Sequence, residues 1–414
     1  MTEPDVTPRP PRTLHGADLR GLLRLGTDAA LGVTDVVEAV HGSVLSRIGL
    51  RGAAPQGRTA GLTGFVYRTV RGITQGAGRS ADALLGAVTA DVPPGASTAG
   101  REAALAVLNG VWGDHLLDTG NPLAIRSEFR VDGRPFAPSD HTSGRDRIVV
   151  MVHGLCMNDL QWLRVGHDHG RMLAAETGRS VVYLHYNSGR HVSDNGQDLA
   201  TLLQTLVSNW PVPVRELAIV GHSMGGLVAR SACHIAQAQG LPWLAVLKQI
   251  VFLGTPHHGA PLERGGRVVD MLLGVSAHAA PFARLTRARS AGIADLGHGN
   301  VQAADWQDAA GSEPRHADRH AHRHEHRRDT RVPTPLPAGV AAGFVAATQS
   351  SSAADRRSQW LGDGLVPLAS ALGEHRNPAL ALGTDAERVV LTGADHWDLL
   401  SHPEVAAALR RWLP

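Results

Sequence analysis

The stretch Leu217-Ala218-Ile219-Val220-Gly221-His222-Ser223-Met224-Gly225-Gly226 decides the fold. Its four leading apolar residues read as a short buried strand. The Gly-x-Ser-x-Gly that ends it reads as a tight strand-to-helix turn, which lifts a nucleophilic hydroxyl clear of a sheet. Small residues flank the serine because a Cβ there would strike the neighbouring backbone. Met224 to Gln237 then continues as a helix. The string alone says little in a chain holding 47 glycines. Its position between a strand and a helix gives it meaning, against the plain alternative of a glycine-rich helix start with a capping serine.

Outward from this turn the same rhythm repeats. Ile148–Val152, Val181–Leu184, Leu217–Val220 and Ile250–Leu253 are apolar runs rich in β-branched residues. Helical stretches near 160–176, 195–209 and 224–238 separate them. Continuous apolar strands alternating with helices predict a mostly parallel sheet covered on both faces. Strands near Gly343–Thr348 and Arg388–Leu391 would complete it, and Glu404–Leu413 reads as a closing helix. Asp132-Gly133 between two short extended runs predicts a hairpin over 127–136.

The remainder is read by composition. Residues 1–16 are polar and proline-rich, with no apolar core of a secretory signal. Residues 17–120 carry three stripes at helical spacing: Val33 to Ile48, Leu62 to Ile73, and Leu105 to Leu116. They predict an N-terminal helical region that packs on the main core, with contact to a membrane or lipid surface as the sharper alternative. Within 260–340 lies the segment 312–331, which holds His316, His320, His322, His324 and His326 and lacks large apolar side chains. It reads as a disordered, solvated insertion, with metal binding as the alternative. Met271, Leu272, Leu273, Val275 and Phe282 would let the insertion serve as a lid.

A chain of 414 residues can bury one large core, and a net charge of +2 argues against a dedicated nucleic-acid binder. Lys248 is the single lysine. Cys156 and Cys233 form no Cys-x-x-Cys pair, so neither a zinc site nor any other resident metal is expected. No run of about 18 apolar residues occurs. The expectation is a soluble cytoplasmic protein with reduced thiols.

A serine hydroxyl needs a base, and the base needs an orienting acid. His396, in Thr392-Gly393-Ala394-Asp395-His396-Trp397 after the last strand, is the candidate base, and His402 at the final helix entrance competes with it. Asp363, in Gly362-Asp363-Gly364-Leu365-Val366-Pro367, is the candidate acid. Asp385, Asp395 and Asp398 are its alternatives. The amides of Met224 and Leu155 are the candidate oxyanion donors. Leu155 lies in His153-Gly154-Leu155-Cys156, the loop after the first core strand, where His153 would brace the backbone.

These residues resemble the α/β-hydrolase superfamily, and within it the serine lipases and esterases. The matching features are the His-Gly-Leu loop, Gly-His-Ser-Met-Gly-Gly, Gly-Asp-Gly-Leu-Val-Pro and the late His396. Leu253-Gly254-Thr255-Pro256-His257-His258-Gly259 is similar to a stretch of bacterial lipases and of relatives of the inositol deacylase that trims glycosylphosphatidylinositol anchors. The resemblance covers about 125–414. It implies an α/β-hydrolase fold and a cofactor-free serine hydrolase acting on a small-molecule ester or lipid. An acyltransferase or thioesterase would use the same triad. A non-catalytic, lipid-associated protein on the hydrolase scaffold is the rival from another class.

Overall fold

The computed structural model describes residues 15–47, 59, 61–89, 97–138, 145–260, 290–310, 331–353, 361–383 and 385–414. The expectations for the 1–14 lead, for the lid residues at 271–282 and for the histidine-rich stretch up to 330 fall outside the described residues. The chain divides into two units, one of residues 1–101 and 116–124, the other of 102–115 and 125–414.

The larger unit is organised on one eight-stranded sheet. Its strands are β1 (Glu128–Val131), β2 (Arg134–Pro135), β3 (Arg147–Val152), β4 (Ser180–His185), β5 (Glu216–His222), β6 (Leu247–Leu253), β7 (Ala341–Thr348) and β8 (Glu387–Thr392). Their order is β2-β1-β4-β3-β5-β6-β7-β8. From β4 to β8 all neighbours run parallel, whereas β1 pairs antiparallel with both β2 and β4. The Asp132-Gly133 turn joins β1 to β2, with both residues at positive φ as the hairpin reading requires.

β3, β5 and β6 are buried along nearly their whole length. Ile148, Val149, Val150, Leu217, Ile219, Val220, Ile250, Val251 and Phe252 have essentially no exposed surface. A strand covered on both faces has no polar face to present, so its sequence is a continuous apolar run. The covers include α4 (His169–Thr177), α5 (Val192–Ser208), α6 (Met224–Gln239) and the amphipathic Pro403–Trp412 helix.

The stretch 160–176 is not one helix. A short 3₁₀ turn at Asp159–Trp162 is followed by a loop and then by α4. Val165 and Gly166 stand at φ +49° and +75°, and Arg164 and His167 close the loop with paired backbone hydrogen bonds. The helix restarts where Asp168 caps the amide of Arg171.

The helices before residue 120 are α1 (Gly16–Arg47), α2 (Gly61–Thr89) and α3 (Ala99–Asp118). The middle of α3, residues 102–115, groups with the sheet rather than with α1 and α2. Ala106, Leu108 and Val111 are buried there, and the helix kinks at Trp112. In the smaller unit, the seam between α1 and α2 is polar. Asp82 accepts from Arg20 and Arg24, and Arg71 pairs with Asp35 and Glu38. Val33, Val37, Phe65, Val66, Val70 and Ile73 stand exposed on these helices, where the spacing predicted burial, as do Leu84 and Val88 beyond the predicted stripes. Among the described residues no helix is long and apolar enough to cross a membrane.

Candidate active site

The parallel strands deliver the candidate residues to one edge of the sheet. Ser223 follows β5, the 153–156 loop follows β3, Gly254 follows β6, Asp363 comes after β7 and His396 after β8. This is the carboxyl edge, where open α/β sheets bind ligands.

Ser223 has φ +53° and ψ −124°. That conformation is disfavoured for a residue with a Cβ and costs about 1–3 kcal/mol, so the surroundings must enforce it. They do so by close backbone approach. A Cβ on Gly225 would lie 2.2 Å from the Val152 carbonyl oxygen, and one on Gly221 would lie 2.6 Å from the Gly226 nitrogen. The Ser223 amide donates to the Leu253 carbonyl at 2.8 Å, which ties the turn to the neighbouring strand. The helix that follows starts at Met224, so its first amides face the serine.

The candidate acid and base come together as a buried pair. His396 Nδ1 lies 2.6 Å from Asp363 Oδ2, with both side chains about 1% exposed. A carboxylate can only accept, so Nδ1 carries the proton and Nε2 is left as the basic nitrogen. Nε2 is buried and has no hydrogen-bond partner among the described residues. The other Asp363 oxygen accepts from the Leu365 and Val366 amides at 2.9 and 2.8 Å. Gly362 and Gly364 stand at φ +51° and +97° and fold the loop tightly around the carboxylate.

The alternative residues are occupied elsewhere. Asp395 Oδ1 accepts from the Trp397 and Asp398 amides, and Asp398 Oδ2 accepts from the Asp395 amide. Asp385 is exposed. His402 caps the Pro403–Trp412 helix through the Glu404 amide.

Leu155 and Met224 are buried, and neither backbone amide is taken by a hydrogen bond among the described residues. A Cβ on Gly154 would stand 3.0 Å from the Ser223 Cβ, which places the 153–156 loop directly beside that serine. His153 braces that loop. Its Nδ1 donates to the Gly154 carbonyl at 2.9 Å, and its ring stacks on Tyr186 with centroids 4.4 Å apart. The Tyr186 hydroxyl donates to the His153 carbonyl.

His222 is a contributor that the motif did not reveal. Its ring packs 4.8 Å from that of His396, and its Nε2 donates to the His396 carbonyl at 3.3 Å. It thereby fixes the backbone that carries His396. The sequence signal was a histidine at the variable position of Gly-x-Ser-x-Gly, but its partner lies 174 residues away.

Burial sets the charge of this surrounding. It pushes His153 down to about 3, with His185 nearby, and His169 down to about 4, with His167 adding to it. His222 and His257 are also held well below the ordinary imidazole value by burial. All four are fully buried. The unfolded chain therefore binds more protons than the folded one below about pH 6.5. Stability is full above that pH and falls as the pH drops toward the folded-state values. At pH 5, His153 and His169 would each remove about 2 kcal/mol, against a typical total of roughly 5–15 kcal/mol. His222 and His257 act in the same direction. We expect Tm to fall steeply between pH 7.5 and pH 5 in differential scanning calorimetry, and a flat profile would contradict the buried neutral imidazoles.

The strand order, the strained serine turn and the Asp–His pair define an α/β-hydrolase fold, the fold of lipases, esterases and thioesterases. Residues 143–320 match the family described as the PGAP1-like alpha/beta domain. No curated protein is significantly similar to the chain. Among solved structures, the mature lipase BlEst2 of Bacillus licheniformis is 18% identical, covers 70% of this chain and 98% of its own, and has a TM-score of 0.42. A lipase-esterase related protein of Clostridium acetobutylicum is 11% identical over 64% of this chain and 94% of its own, with a TM-score of 0.36. The type II thioesterase YbtT of the yersiniabactin pathway is 15% identical over 65% of this chain and 94% of its own, with a TM-score of 0.38.

Proposed function

We propose that the protein is a serine hydrolase of carboxylic esters with an apolar acyl chain. The observation that supports this most is the buried 2.6 Å contact of His396 with Asp363 on the same sheet edge as the strained Ser223 turn. In this reading Ser223 Oγ attacks the acyl carbon while His396 Nε2 takes the hydroxyl proton. Asp363 holds the imidazole tautomer and stabilises the imidazolium. The amides of Leu155 and Met224 receive the developing oxyanion. His396 then returns the proton to the leaving alcohol, which departs with the acyl group left on Ser223. Water, deprotonated by the same nitrogen, resolves the acyl-enzyme. No cofactor is needed for these steps.

The buried Cys156 and Cys233 are unpaired, which supports a reducing, cytoplasmic setting. Burial pushes both thiols up to about 12, so neither competes with Ser223 as a nucleophile.

The test is active-site titration with a fluorophosphonate, followed by a chain-length series of p-nitrophenyl esters. Stoichiometric labelling at Ser223 and turnover that rises with acyl length are expected. An unlabelled protein would make the fold a binding scaffold. Preference for acyl thioesters, or acyl transfer to an alcohol in place of water, would move the assignment to a thioesterase or acyltransferase on the same residues.

A further inference from the structure

In the smaller unit, α2 turns its charges toward α1 and its apolar residues away. Arg71 pairs with Asp35 and Glu38 of α1, and Asp82 with Arg20 and Arg24. Glycines lie on the same side. A Cβ on Gly78 would stand 2.6 Å from Thr27 Oγ1, and one on Gly86 would stand 3.3 Å from the Arg20 guanidinium carbon. Phe65, Val66, Val70, Ile73, Leu84 and Val88 point the other way. At about 3.6 residues per turn they fall within one arc of about 140°, opposite the seam. No charged residue falls in that arc, and its remaining positions hold alanine, glycine, serine and threonine. Ile73, Leu84 and Val88 are 67%, 70% and 71% exposed. A surface helix of a globular protein normally buries its apolar stripe and exposes its charges. α2 does the reverse over about 35 Å of its length.

An apolar strip of this kind marks an interaction surface, and charge selects what meets it. Outside the seam α2 has two charged residues, Arg68 and Arg79. Both are exposed, and neither has an acidic partner among the described residues. By the helical spacing both lie along one border of the arc, about 40–60° beyond its edge. An arginine there can lay its stem along the strip and keep its charge among polar groups. Anionic headgroups would answer that charge, and the acyl boundary beneath them would take the apolar strip. A symmetric pair of copies joined through this strip would leave the arginines unanswered on α2, because its one acid, Asp82, is engaged in the seam. The helix would lie along the lipid and not cross it, since Arg68, Arg71, Arg79 and Asp82 would otherwise enter hydrocarbon.

We propose that the outward face of α2 docks the protein on an anionic lipid surface. Phe65, Ile73, Leu84 and Val88 enter the acyl boundary, and Arg68 and Arg79 meet the headgroup phosphates. A hydrolase of esters with apolar acyl chains would then stand where such esters are concentrated. The docking itself rests on α2 and draws on none of the assignments at Ser223.

The experiment is flotation of the full chain with vesicles of phosphatidylcholine alone, and of phosphatidylcholine mixed with phosphatidylglycerol. The protein is expected to float with the mixed vesicles, and more weakly with the neutral ones. Ile73→Gln combined with Leu84→Gln should weaken binding to both by about tenfold to a hundredfold, because two aliphatic side chains no longer leave water. Both positions are exposed, so Tm should hold, which separates lost docking from lost folding. Arg68→Gln combined with Arg79→Gln should remove about tenfold of the affinity for the mixed vesicles and leave that for the neutral ones unchanged. Fluorophosphonate labelling of Ser223 is read separately, so failure of the docking and failure of the hydrolase reading are told apart. No flotation with either vesicle, or glutamine variants that float like the wild type, would overturn the proposal. So would a fall in Tm of the Ile73→Gln/Leu84→Gln variant, which would mean that protein already covers the strip. A wild-type dimer in light scattering that this variant breaks would give the strip to a second copy and overturn it equally.

Discussion

Ser223→Ala is expected to reduce ester turnover by about 10⁴–10⁶ while leaving the fold intact, the usual loss when a triad nucleophile is removed. The variant keeps a Cβ, so the strained backbone at φ +53° is neither relieved nor worsened. Among the described residues no hydrogen bond of the Ser223 hydroxyl is seen, so none of their polar groups loses a partner with it. Turnover of a p-nitrophenyl ester and Tm should therefore separate cleanly, with the first collapsing and the second holding within a few degrees. A variant retaining activity within tenfold of wild type would remove Ser223 from the mechanism.

Asp363→Asn is expected to cost about 10⁴ in turnover, and the geometry gives the reason. Asp363 Oδ1 accepts two backbone amides, from Leu365 and Val366. An asparagine would keep its oxygen toward those two donors. Its NH₂ would then face His396 Nδ1, which now lies 2.6 Å from a carboxylate oxygen. Nδ1 would have to accept, the ring proton would move to Nε2, and the base would be lost. Asp395→Asn serves as the comparison. Asp395 Oδ1 accepts the Trp397 and Asp398 amides, and an asparagine oxygen can do the same. Its turnover should stay within about tenfold of wild type. The reverse ranking would transfer the orienting role to Asp395.

The parts of this structure legible in the sequence are those governed by local chemistry. Strands β3 to β6 announce themselves because burial on both faces demands apolar residues without interruption. Ser223 and Asp363 are visible because tight turns leave glycines around them. His396 follows from its place after the last strand. Long-range effects were not legible. The loop at 163–168 rests on a positive φ at Val165, which no β-branched residue advertises. The role of His222 depends on a carbonyl brought to it from another strand. The apolar stripes of α1 and α2 promised a buried seam, yet arginine–carboxylate pairs hold these helices together and leave Phe65 and Ile73 exposed. Periodicity identifies a face but does not say what meets it.

The sheet order also has a kinetic meaning. Ser223 stands at the end of a central strand, but Asp363 and His396 are carried by the two strands at one margin, and β8 is the outermost and least covered of them. Sub-global opening in proteins begins at such margins and needs less free energy than complete unfolding. If β8 detaches, His396 leaves Ser223 while the centre of the sheet stays folded. Under the proposed mechanism, ester turnover is therefore a gauge of the margin and not of the whole molecule. It would decay under mild denaturant before the buried tryptophans Trp162 and Trp243 report any change in fluorescence.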